Sequence, residues 1–147
     1  MIPYLDADFL LTLLVNTHET HRANTLLRRI AGPLQLNALH QLQAENLIMR
    51  RVRSTTITEQ QEGERAFRLW HHYYSEAVFA FSRADWQAAY ELALNWNRNP
   101  PLPPAPLLLY HPALAAVAGA SHFLSFNPRS RAVAKRAGLK VLPVALD

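Results

Sequence analysis

An α/β fold built on parallel strands follows from three observations. Short β-type runs alternate with helical runs along the whole 147-residue chain. Near its end, residues 122–126 and 140–144 read as strands, separated by Ala-rich helical segments that stop at Gly119 and Gly138, where a helix C-cap wants positive φ. Strands joined through a helix of this length run parallel, because only a crossover returns the chain to the sheet in the same direction. Open sheets of this kind bind ligands beyond the carboxyl ends of their strands. Asp6, after the first strand, and Asn127, after SHFLSF, are therefore the positions to watch.

Residues 2–5 are a short apolar strand, and the residues after Asp6 open an apolar helix through Leu14. A second helix is expected over about residues 17–30, with Leu26, Leu27 and Ile30 on one face and Arg22, Arg28 and Arg29 on the other. Residues 33–36 make the second strand. Asn37 then caps a long helix carrying Leu39, Leu42, Asn46, Met49 and Arg53 down one side. Thr58 with Gln61 has the form of a capping box opening a helix to about Tyr74, and residues 77–81 are the third strand. Ser82 or Asp85 caps the helix holding Trp86, Tyr90, Leu94 and Trp96. The proline-rich residues 100–106 form a semi-rigid connector. Pro112 lacks an N–H, so its helix is expected to begin late in LLLYHPALA.

Half of the residues are hydrophobic, enough for one domain spanning residues 1–147 with its own core. With no cysteine, a thiolate nucleophile, a Cys zinc site and a disulfide framework are excluded, which suits a cytoplasmic protein. Apolar runs fall well short of the roughly 20 residues of a membrane span, and no basic segment precedes an apolar one at the start. No membrane partner is expected. A net charge of +4 and a pI near 9.9 lean weakly toward an anionic partner.

YLDAD at the start, LHQLQAENLI in the third helix, LLLYHPALA, and GASHFLSFNPRSRAVAKRAGLKVLP at the end together resemble the PIN-domain family, in particular the VapC-like toxins of bacterial toxin-antitoxin systems. The resemblance implies a single three-layer domain with a five-stranded, mostly parallel sheet flanked by about seven helices. It also implies a hydrolase that cleaves RNA through Mg²⁺ or Mn²⁺ held by clustered carboxylates. Such acids tolerate one another only around a cation, and paired ions can stabilise both attacking and leaving oxygens.

Carried over position by position, the family's acids are mostly missing. Asp6 matches the first. Counting back from Asn46 places Gln43 at the second. His111 and Ala113 match an Asp-x-x-His-x-Ala pattern in which Leu108 takes the aspartate's place, and Ser125, Phe126 and Asn127 stand where a Thr-Phe-Asp-like triplet is expected. The resemblance thus points to a catalytic quartet of Asp6, Gln43, Leu108 and Asn127 in which Asp6 alone is acidic and is the one residual metal ligand. No cofactor is expected, unless the site is active and takes Mg or Mn. The reading is a pseudoenzyme that keeps a role in binding an antitoxin-like protein, RNA or its own copy, with peptide recognition shifted toward apolar contacts near Leu108. The rival is an active ribonuclease in which Asp6, Asp8 and Glu45 rearrange into a working cluster. Against it, Glu45 lies two residues from Gln43, about 200° around a helix.

Arg50, Arg51 and Arg53, and separately Arg129 and Arg131 with Lys135 and Arg136, are candidate phosphate contacts for RNA, weighed against plain solvated helix faces. Trp70, Tyr73, Tyr74, Trp86 and Tyr90 suit a homo-oligomer surface better than base stacking. His18 with His21, and His71 with His72, lack a third ligand at metal spacing and read as surface imidazoles.

Overall fold

A computed structural model describes residues 1–99 and 106–144. The elements run β1 (Pro3–Leu5), α1 (Ala7–Leu14), α2 (Thr20–Leu27), β2 (Leu34–Leu36), α3 (Ala38–Val52), α4 (Ile57–Ser75), β3 (Phe79–Phe81), α5 (Trp86–Arg98), a 3-10 turn (Pro106–Leu109), α6 (Tyr110–Val117), β4 (His122–Leu124), α7 (Pro128–Arg136) and β5 (Lys140–Leu142). The chain is α/β, and every strand pairing in it is parallel. It divides into two compact units, Met1–Asp8 with Arg83–Asp147, and Phe9–Ser82.

In the first unit the strands lie in the order β1-β4-β5, with Leu5 opposite Leu124 and Leu124 opposite Leu142. Leu5, Phe123 and Leu124 are fully buried, each such side chain stabilising by about 1.5–3 kcal/mol. Helix α6 lies against β1 and presents Ala113, Leu114 and Ala115 to the core. The glycines after α6 and α7 do what the sequence asks. Gly119 and Gly138 take φ of 70° and 82°. In each case the next residue's N–H reaches back to a helical carbonyl, Ala120 to Ala115 and Leu139 to Ala134, closing a Schellman motif that turns the chain into the next strand. Pro112 stands in the first turn of α6, after the 3-10 turn, where no N–H has to be donated.

In the second unit β2 pairs with β3, Leu34 opposite Phe79 and Leu36 opposite Phe81. Helices α3 and α4 lie side by side. Gly63 permits this, since a Cβ there would stand 2.6 Å from the Val52 backbone nitrogen. Asn37 caps α3 in a reciprocal box, its Oδ1 accepting from the Leu39 and His40 N–H groups while His40 Nδ1 accepts from the Asn37 N–H at 3.1 Å. Trp70, Tyr73 and Tyr74 all pack on Phe79, at ring distances of 5.9, 4.9 and 5.9 Å.

Several expectations need correction. The strands form a three-stranded and a two-stranded sheet, not one of five. Alternation with helices dictates parallel direction, but which strand bonds which depends on backbone placement, and three-residue strands carry few side chains to encode it. Helix α4 starts a residue before Thr58, with Thr56 as the cap that accepts from the Glu59 N–H. Ala77 and Val78 belong to the turn after α4, with Ala77 at φ 54°, so β3 begins only at Phe79. On α3 the buried stripe is His40, Ala44 and Ile48, while Leu42 and Met49 face outward. A histidine satisfied by its own cap can be buried, which a count of apolar residues overlooks. Trp70, Tyr73 and Tyr74 are committed to packing around Phe79 inside their own unit, whereas Trp86 and Tyr90 remain exposed. The expected connector lies outside the described residues apart from Pro106, which opens the 3-10 turn.

Candidate functional site

The carboxyl ends of β1 and β4 meet in the first unit, and their chemistry is built by the residues just beyond them. The Asp6 N–H continues the ladder to the Leu124 carbonyl at 3.0 Å, which holds its side chain beside Ser125. Asp6 is 2% exposed, and its Oδ2 accepts the Ser125 hydroxyl at 2.5 Å. Ser125 Oγ in turn accepts the Asn127 N–H at 3.0 Å, a tight local turn that orients the hydroxyl toward the acid. A polar chain therefore runs from the Asn127 backbone through Ser125 to Asp6.

The Asn127 side chain is turned to another task. It is the N-cap of α7, with Oδ1 accepting the N–H groups of Arg129 at 2.9 Å and Ser130 at 3.3 Å. Pro128, at the first helical position, has no N–H to satisfy. An amide oxygen has two lone-pair sites, and both are taken by the helix.

Arg131 is 8% exposed and buries its guanidinium below this loop, donating to the Ser125 carbonyl at 2.7 Å and the Pro143 carbonyl at 2.8 Å. It ties the end of β4 to the segment after β5. This places it away from the phosphate-facing rim expected of it. Arg129 is exposed. His111 is buried, its Nδ1 hydrogen-bonded to the Tyr4 hydroxyl at 3.0 Å, and Tyr4 stacks on Phe123. Leu108 is half-buried in the 3-10 turn and offers no donor atom. Asp8 is exposed in the first turn of α1.

The remaining candidates lie in the second unit. Gln43 is half-buried on α3. Glu45, across the helix from it, is exposed, accepts from Gln41 Nε2 at 2.8 Å, and faces α4. There the Tyr74 phenol is pushed up, by burial first and then by the Glu45 charge. Arg51 is held by Glu62 at 2.9 Å, leaving Arg50 and Arg53 exposed at the C-terminal end of α3, where the helix dipole favours cations. His18, His21, His71 and His72 are exposed.

In the first unit the expected positions supply one carboxylate, an amide oxygen already doubly bonded and an alkyl chain, against the several oxygen ligands that Mg²⁺ or Mn²⁺ requires. Among the described residues no three His, Asp or Glu side chains gather into a metal-holding group. Sequence reading missed Ser125 as the partner of Asp6 and Tyr4 as the partner of His111. The i to i+2 spacing of Ser125 and Asn127 was the available signal for the first. The second joins residues far apart in sequence and has no local signal.

Fold and site together define a protein of α/β class with parallel strands and a hydrogen-bonded polar cluster at the ends of β1 and β4. A scan against protein-family models finds no match to this chain, and a search of the curated proteins finds none. Among the described residues no helix is long and apolar enough to cross a membrane.

Proposed function

We propose that this is a PIN-like protein, related to VapC-type toxin ribonucleases, whose nuclease centre has been converted into structure and whose remaining role is to bind an antitoxin-like partner, RNA or its own copy. The single observation that carries the reading is the Asn127 side chain, whose amide oxygen has both lone pairs committed to the first turn of α7. An aspartate at the end of a strand, joined by a serine hydroxyl to the next strand, keeps the place of a first catalytic acid, while Leu108 and Asn127 bring no negative charge to theirs. A neutral amide can offer an oxygen, but it adds no field to lower the pKa of a bound water. The parallel β1-β4-β5 arrangement and the position of Asp6 at its carboxyl end support the PIN-like part of the reading.

The test is RNA cleavage with the purified full chain in Mg²⁺ and in Mn²⁺, with Asp6→Ala as control. The expected result is no metal-dependent cutting above that of the control. Cutting that needs metal and disappears in Asp6→Ala overturns the proposal in favour of an active ribonuclease using Asp6, Asp8 and Glu45.

A further inference from the structure

We draw no further inference here: the strongest candidate, the apolar groove between α3 and α4 lined by Ile48, Met49, Val52 and Phe67, carries none because nothing in the structure shows what covers it.

Discussion

Replacing Asn127 by alanine separates a structural amide from a catalytic one. The substitution removes the oxygen that accepts from Arg129 at 2.9 Å and Ser130 at 3.3 Å, and Pro128 leaves no other N–H in the first turn to reorganise around. Ser130 is 5% exposed, so water cannot readily replace the lost partner of its N–H. Loss of an N-cap side chain costs about 1 kcal/mol and up to ~2 where the helix start is buried. For a chain of this size about 1–2 kcal/mol corresponds to a fall in Tm of about 2–8 °C. Asn127→Asp keeps both acceptor interactions and places an anion at a helix N-terminus, a favourable change of about 0.3–1 kcal/mol. The expected order is therefore Asn127→Asp close to wild type and Asn127→Ala clearly below both. Urea titration followed by circular dichroism, with equal m-values across the set, gives the free energies. An alanine variant within about 0.3 kcal/mol of wild type would refute the assignment of Asn127 as a cap.

Three further outcomes are expected. Gly63→Ala sets a Cβ 2.6 Å from Val52 N, so forced separation of α3 and α4, about 1–3 kcal/mol, outweighs the ~1 kcal/mol helix preference of alanine; a stabilised variant in the same titration contradicts this. Ala77→Gly relieves a left-handed residue at φ 54° and should raise stability by about 0.5 kcal/mol, with a lowered Tm as the opposing result. His122 is held below its ordinary value of 6.5 by burial, then by Lys140 and the N-terminal ammonium. Its folded form thus resists protonation, the unfolded chain binds the proton first, and this contribution, fully present above pH 6.5, is lost as pH falls below it. Wild-type stability should consequently drop more than that of His122→Gln between pH 8 and pH 5, and identical pH profiles would count against it.

What could be read from the chain alone was mostly local. Gly119, Gly138, Asn37 and Asp85 each occupy the cap expected of them, because a cap is decided by a residue and its next few neighbours. The parallel direction of the strands followed from connection length. Properties set by distant partners were not legible. The division of the strands into two sheets, the burial of Arg131 against two carbonyls and the Tyr4–His111 bond join residues with no pattern linking them in sequence. Thr58 with Gln61 satisfied the capping-box pattern, yet Thr56 is the cap, because Ser54 turns the chain two residues earlier by accepting the Thr56 N–H. At the strand ends, residue type showed that Asn127 is uncharged. Only its geometry revealed that its oxygen is already occupied.

The most direct measurement is Mn²⁺ binding to the full chain, followed by loss of the free-ion electron paramagnetic resonance signal, for wild type and Asp6→Ala side by side. A buried acid whose Oδ2 already accepts the Ser125 hydroxyl predicts no saturable binding that distinguishes the two proteins into the millimolar range. One ion bound per chain at micromolar Mn²⁺, abolished by Asp6→Ala, would contradict the account.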